Sequence, residues 1–549
     1  MNTAMYPSNG LAQKNRRKAG TFRRRNGQKT GAAFAAGTLE FQVIIICPVP
    51  LSVKQGLTRR GASARTAARS IAVLFPRRAG IRDPYIRIGG TTMGKPENTP
   101  AAGQREQFGS RISFVLASMG GAIGLGIIWK FPYLVGRHGG AAFIVVYLAA
   151  LVLVAVPVLI TEFTIGRKTG TSYTSALKKL LPGKKWYLVG ILGVIALTLT
   201  LSFYCGIAGW TVAYLLKSVT GAYSGMATDQ VVALFSDFTT NPWQMLLWLA
   251  VMLLITTVVV LRGVKGGIEK VCNILLPLMF LFIIFLAIRA IMLPGAGEGV
   301  KFYLLPDFSS LNGEAVMAAI GQSFFALGVG CGNLVVYGSY LDRKKTIGSS
   351  TLMVVLGDTV VAILFGLIIF PAAAAFNIEA GMGPPLVFIT LPAIFAQMNF
   401  GMVFATVFFI MMFFACLTST ICIMEAIVGY LVDEFHLSRR LSCWIVTGIV
   451  FVIGSVMMMS YGPLSNVLIM GQTIFDFFND TVVSAILLPL GALLMVLLVG
   501  WVLKPRTLLD EANIGEGLKI NRYYTITIRY IAPVAIFFMF LQLIGIIRF

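Results

Sequence analysis

The chain has 549 residues, 57% of them hydrophobic and only 12% charged, with a mean hydropathy of +0.82. Ordinary soluble domains carry about 25% charged residues, so a soluble enzyme, a disordered scaffold and a disulfide-knit secreted domain are excluded. The net charge of +23 does not argue for nucleic-acid binding, because residues 1–92 hold 17 of the 45 Lys and Arg against two acids, Glu40 and Asp83.

Residues 1–92 read as a basic extension. Their apolar run, Val43 to Leu51, is too short to cross a bilayer, and more Arg-rich sequence follows it where a signal peptide would end. Scarce acids beside many Ala, Ser and Arg fit an organellar transit peptide. The favoured reading places the natural start at Met93, since Ile88-Gly89-Gly90 can be encoded by a purine-rich stretch a few bases upstream. Residues 93–110 are then a short polar cytoplasmic segment.

From there to the end, apolar segments recur near 111–136, 141–166, 186–216, 243–262, 268–293, 314–340, 347–372, 400–431, 442–461, 472–503 and 524–547. Most reach the ~20 residues a membrane-spanning helix needs, so an all-α polytopic membrane protein with eleven transmembrane helices is expected. Connections after the second, fourth, sixth, eighth and tenth spans carry clusters such as Arg167-Lys168, Arg262 with Lys265, Arg343-Lys344-Lys345, Arg439-Arg440 and Lys504 with Arg506. The alternate connections are poor in Lys and Arg. The positive-inside rule then puts the N-terminus in the cytoplasm and, with an odd number of spans, Phe549 outside. Most of the seven cysteines (Cys47, Cys205, Cys272, Cys331, Cys416, Cys422 and Cys443) lie in apolar stretches, without zinc or CxxC spacing, and read as packing residues.

Two spans are interrupted alike. The first contains Gly120-Gly121-Ala122-Ile123-Gly124-Leu125-Gly126 and the sixth Gly328-Val329-Gly330-Cys331-Gly332. Glycine leaves the helical region at least cost. The spans after the two clusters start about 206 residues apart, and glycine-broken helices at matching positions of two halves point to inverted repeats around a midplane binding site. Close helix packing through small residues is the alternative. Breaking a helix frees peptide groups that cost several kcal/mol each in hydrocarbon; an ion and an anionic substrate can satisfy them.

These residues carry a family resemblance. Arg105-Glu106-Gln107-Phe108-Gly109-Ser110-Arg111, the glycine run at 120–126, Trp129-Lys130-Phe131-Pro132-Tyr133, Gly139-Gly140-Ala141-Ala142-Phe143, Glu162-Phe163-Thr164-Ile165-Gly166-Arg167, Gly321-Gln322-Ser323-Phe324-Phe325, Thr390-Leu391-Pro392-Ala393-Ile394-Phe395 and Ala415-Cys416-Leu417-Thr418-Ser419 resemble the neurotransmitter:sodium symporter family, in its bacterial eleven-span amino-acid branch. The resemblance covers about 105–549. It implies a LeuT-type 5+5 inverted repeat with discontinuous helices 1 and 6: residues 111–293 form spans 1–5, 294–503 spans 6–10, and 504–549 a loop and span 11. It also implies alternating access, one or two Na+ as the coupling ions, no organic cofactor, and import of a neutral, hydrophobic or aromatic amino acid. The expected setting is the cell's inner membrane, with the lipid bilayer and the amino acid as partners, no nucleic acid, and a monomer or weak oligomer.

Position by position, the resemblance gives the second sodium site the carbonyls of Gly120, Ile123 and Ala415 and the hydroxyls of Thr418 and Ser419. Hydroxyls bonding back to their own helix are the plain alternative. The first site is degenerate: Ile127 and Ala326 stand where the family expects Asn and Thr, leaving the carbonyls of Ala122 and Ala326 and the carboxylate of Asp358. A midspan carboxylate is a functional hypothesis by default; Asp358 could hold sodium, stand in for chloride, or be protonated. The substrate carboxylate would meet the hydroxyl of Tyr204 and the amides around Gly121, Ala122, Gly124 and Gly126. Phe325 would cap the pocket, with Ala326, Thr200, Gly328, Cys331, Ser419 and Ile423 lining it. Arg105 with Asp433, beside Tyr340, would form the inner gate, and Lys130 with Asp480 the outer one. Glu162 is expected to brace the first helix, and Glu425 is left between a structural and a proton-carrying role. No nucleophile-base pair suggests an enzyme. A membrane amino-acid sensor with degenerate ion coupling is the alternative function, favoured by Ile127 and Ala326.

Overall fold

The computed structural model describes residues 105–378 and 383–547. The reading of residues 1–92, and residues 93–104 of the segment after them, lie outside the described residues.

Among the described residues, nine helices are long and apolar enough to cross a membrane: Ala141–Thr169, Tyr187–Val219, Pro242–Leu261, Val264–Ile291, Ile347–Phe376, Gly401–Phe435, Arg439–Met459, Ile474–Leu503 and Arg522–Leu543. A tenth crossing is a bent pair, Arg111–Ala122 and Gly126–Arg137, at 57°. The remaining expected span is Gly313–Leu327 followed by Asn333–Ser339, two pieces each too short to cross alone. These elements sit where the eleven apolar segments lie, and are called spans 1–11 in chain order. Hydrocarbon leaves no water for peptide groups, so outside the breaks of spans 1 and 6 each apolar run closes its own hydrogen bonds as a helix.

Short polar residues set several starts by accepting from first-turn amides. Ser110 Oγ accepts from Ser113 N at 3.0 Å ahead of span 1, and Asn312 Oδ1 from Ala315 N at 2.8 Å ahead of span 6. Asn521 Oδ1 accepts from Tyr523 N at 3.0 Å ahead of span 11. Shorter helices outside the eleven segments include Thr228–Thr240, Gly297–Leu304 and Pro505–Ala512. Another apolar one, Leu386–Gln397, packs Phe388 against Phe235 and the edge of Trp210.

Span 3 and span 8, 33 and 35 residues long, lie against each other. The first half of span 1 packs on spans 5, 7 and 8, and the second half of span 6 on span 2. There Gly166 faces the Val335 carbonyl and Gly338 the Phe163 backbone, with no room for a Cβ at either. Both interrupted helices are thereby held in the middle of the bundle.

Candidate ion and substrate site

The two breaks are made differently. In span 1 the helix ends at Ala122, Ile123 is extended with ψ 99°, and the chain turns helical again at Gly126. None of Gly120, Gly121, Gly124 and Gly126 has a positive φ, so they are needed for size and not for conformational freedom. A Cβ on Gly120 would stand 2.7 Å from Thr418 Cβ, and one on Gly124 would stand 2.6 Å from Tyr204 Oη and 3.0 Å from Ser419 Oγ. A Cβ on Gly121 would collide with Cys422 Sγ, and one on Gly126 with the Phe325 ring. In span 6, by contrast, Gly328 (φ 61°), Gly330 (φ 107°) and Gly332 (φ 74°) are left-handed, a region open to glycine at little cost. The breaks face each other: the Cβ position of Gly328 is 3.4 Å from the Gly121 carbonyl.

Glu162 of span 2 satisfies peptide groups freed in span 6. Its Oε1 accepts from Gly330 N at 2.7 Å and Gly332 N at 3.2 Å, and its Oε2 from Leu334 N at 2.9 Å. This corrects the expectation that Glu162 braces the first helix. A buried carboxylate needs such donors, and span 6 offers three from its unwound turn.

The residues expected for the second sodium site converge. Ser419 Oγ lies 3.0 Å from Gly120 O, 2.9 Å from Ile123 O and 3.1 Å from Ala415 O. Thr418 Oγ1 lies 3.1 Å from Ala415 O and 3.0 Å from Phe414 O of its own helix. Each hydroxyl has one proton, so these oxygens hold more lone pairs than protons to fill them. Such an oxygen set fits a hard cation.

The first site is poorer. Ile127 and Ala326 are fully buried and bring no side-chain oxygen. Asp358 is also fully buried, and neither carboxylate oxygen has a hydrogen-bond partner among the described residues.

Between the breaks is a cavity of about 80 Å³ lined by Gly121, Ala122, Gly124, Gly126, Thr200, Tyr204, Phe325, Gly328, Cys331, Ser419 and Ile423. Ala326, expected in the lining, is not in it. Leu197, Phe203, Phe324, Val329 and Leu488 also line it and were missed, since apolar residues in apolar spans carry no local mark. Asn333 lines it too, and a polar residue directly after the second glycine cluster was a signal that could have found it. Tyr204 Oη accepts from Leu125 N at 3.0 Å, which leaves its own proton to donate. Thr200 Oγ1 donates to Ala196 O of its own helix at 2.8 Å.

The ion pair expected on the inner side is formed. Arg105 Nη1 is 3.0 Å from Asp433 Oδ2 and donates to Gly170 O at 2.8 Å, and its guanidinium lies 5.0 Å from the centre of the Tyr340 ring. Tyr340 donates to Glu425 Oε1 at 2.6 Å, and Arg439 grips both oxygens of Glu425. The sequence counted Arg439 only among cytoplasmic charges. Its partner lies 14 residues away across a chain reversal, and no local pattern marks the pair. The expected outer pair is not formed: Asp480 Oδ1 accepts from Asn479 Nδ2 at 2.8 Å, while Lys130 Nζ sits 4.7 Å from the Phe325 ring centre. The compact ammonium finds the face of an aromatic ring that an adjacent helix brings within reach. Above Phe325 a second cavity, about 340 Å³, is lined by Lys130, Gln322, Phe325 and Leu488 among others.

Two interrupted helices facing each other over a cavity, with a set of oxygens beside it that fits a cation, define an ion-coupled membrane transporter. The chain belongs to the sodium:neurotransmitter symporter family, whose profile matches residues 105–232 and 222–548. It is 40% identical over 445 residues to YhdH, an uncharacterized sodium-dependent transporter of Bacillus subtilis, covering 81% of this chain and 98% of that one. A sodium-dependent transporter of Haemophilus influenzae is 31% identical over 456 residues, with 80% and 98% covered. The crystal structure of MhsT in complex with L-phenylalanine superposes with a TM-score of 0.74 at 38% identity, over 80% of this chain and all of that one. The protein is therefore a multi-pass, sodium-dependent membrane transporter of the LeuT-type fold, and not an enzyme.

Proposed function

We propose that the protein imports a neutral, hydrophobic or aromatic amino acid together with sodium, by alternating access between the two gates. Residues 111–293 and 294–503 form the two inverted repeats. The N-terminus is cytoplasmic and the C-terminus outside, in the cell's inner membrane. The observation that carries this reading is the set of carbonyls gathered on Ser419 beside the Tyr204 hydroxyl. One sodium ion is held by Gly120, Ile123, Ala415, Thr418 and Ser419. The substrate carboxylate takes the Tyr204 proton and the amides of the span 1 break. Gly124 leaves no space for an acidic side chain there, so the substrate must bring its own carboxylate. The L-phenylalanine in the MhsT structure supports an aromatic side chain, which Cys331 and Gly328 are small enough to admit.

Asp358 balances charge at the depleted first site beside the carbonyls of Ala122 and Ala326, so that one strong and one weakened ion site operate. The inner pair Arg105–Asp433 is latched and Lys130 is not paired with Asp480; the geometry suits a state closed inward. In proteoliposomes, an inward sodium gradient should drive accumulation of L-phenylalanine or a similar amino acid. Binding without accumulation would favour the second reading, an amino-acid sensor, for which Ile127 and Ala326 are the supporting residues.

A further inference from the structure

A separate groove lies on the outside of the bundle, where spans 2 and 7 meet the segment entering span 11. Its volume is about 360 Å³, within the ~300–1,000 Å³ of small-ligand sites. Val152 and Val156 of span 2 and Leu352 and Val355 of span 7 form apolar walls, with Lys519 at the rim. Val152 and Leu352 are about half exposed, so this wall faces the surroundings of the bundle and not its core.

Three features mark it as built for an amphiphile. First, Thr351 lines the groove and is only 2% exposed, yet its hydroxyl has no hydrogen-bond partner among the described residues. A buried polar group left so is costly, and a ligand ester or hydroxyl would satisfy it. Second, the rim is fixed in place. Leu518 N donates to Ser349 Oγ at 2.6 Å, Glu516 N to Lys344 O at 3.0 Å, and Asn513 holds Ile520 N at 2.7 Å. Tyr523 reaches the Val152 carbonyl, which lies in a π-helical turn of span 2. Third, the rim is cationic. Lys519 lines the groove, and Arg522 lies in the chain between the lining residues Asn521 and Tyr523. Both are exposed and in no ion pair among the described residues, while the nearby Glu516 is taken by Lys345 at 2.7 Å.

We propose that this groove binds one anionic phospholipid of the cytoplasmic leaflet. The acyl chain lies along Val152, Val156, Leu352 and Val355, the glycerol ester meets Thr351, and the phosphate meets Lys519 and Arg522. The proposal rests on the orientation proposed above, which puts residues 504–522 at the cytoplasmic surface. Basic pockets between membrane helices on that side recognise lipid head groups, and each Lys or Arg near the surface strengthens the attraction about five-fold. A sterol or a zwitterionic lipid would use the apolar wall but not the two cations.

The test is native mass spectrometry of the purified full-length protein with phosphatidylglycerol or with phosphatidylcholine of identical chains. The wild type should retain one phosphatidylglycerol, with the Lys519→Gln/Arg522→Gln variant bound ~10-fold or more weakly. Both substitutions are on exposed side chains, where a change costs little stability. Leu352→Trp should fill the groove and displace the lipid with the charges in place. Equal retention of the two lipids, or phosphatidylglycerol retained alike by the wild type and both variants, would overturn the proposal. Lipid retention in detergent is read without transport, so its failure leaves the uptake reading standing.

Discussion

Ser419→Ala removes one hydroxyl and nothing else from the proposed sodium site. That oxygen lies within 3.1 Å of three carbonyls, so it is a hub and not a rim ligand. With sodium bound, the lost contact to a charged group is worth about 1.5–3 kcal/mol; without it, the hydroxyl's ordinary hydrogen bond is worth about 0.5–1.5 kcal/mol. The difference, about 1–1.5 kcal/mol, weakens sodium binding roughly 5–12-fold. The assay is calorimetric or radioligand binding of L-phenylalanine, titrated with sodium at constant ionic strength. Half-saturating sodium should rise by that factor in Ser419→Ala, and Thr418→Ala/Ser419→Ala should lose sodium dependence in the accessible range. A sodium midpoint within two-fold of wild type in Ser419→Ala, at unchanged thermal stability, would show that the Ser419 hydroxyl is not a sodium ligand.

Tyr204→Phe deletes the donor aimed at the substrate carboxylate and strands the Leu125 amide; the substrate Kd should rise by about 1.5–3 kcal/mol, or roughly 10–150-fold, and an unchanged Kd would remove Tyr204 from the pocket. Asp358→Asn takes away the formal charge of the first site and should weaken sodium-driven accumulation, whereas wild-type uptake would assign Asp358 to packing. Arg439→Ala leaves Glu425 buried with Tyr340 as its remaining donor, a loss of about 3–5 kcal/mol for breaking a buried pair; thermal unfolding in detergent should show a clear drop in Tm, and an equal Tm would contradict the pairing. Glu162→Gln replaces an acceptor of three amides by one that presents its own N–H to them, so Tm should fall by several degrees, and full stability would show the span 6 break to be held by other groups.

Long-range order in this fold was readable where hydrocarbon imposes it. All eleven apolar runs appear as helices, because a run of this length in hydrocarbon satisfies its peptide groups within itself only as a helix. The interruptions were readable too, but for span 1 the reason differs: its glycines admit Thr418, Tyr204 and Phe325 at close range and are not left-handed. Which helix Glu162 braces depends on how span 2 lies against span 6, and hydropathy carries no such information. The Arg105–Asp433 gate was legible only through the family resemblance, since the two residues are 328 apart. Glu425 with Arg439, and Lys130 with Phe325, depend on side-chain reach across helices, which no spacing along the chain encodes. Helices such as Thr228–Thr240 and Leu386–Gln397 are too short for the crossing criterion and vanish into loops when only spans are sought.

In the proposed cycle one ion and one zwitterion share the space between two opened helices. Linkage makes this measurable, because two ligands that stabilise each other do so by the same factor in both directions. Isothermal titration of the purified protein with L-phenylalanine, in sodium and in an equal concentration of potassium, tests it most directly. Phenylalanine affinity should rise steeply with sodium, and sodium affinity should rise by the same factor when the amino acid is present. Identical phenylalanine affinity in the two salts would contradict it.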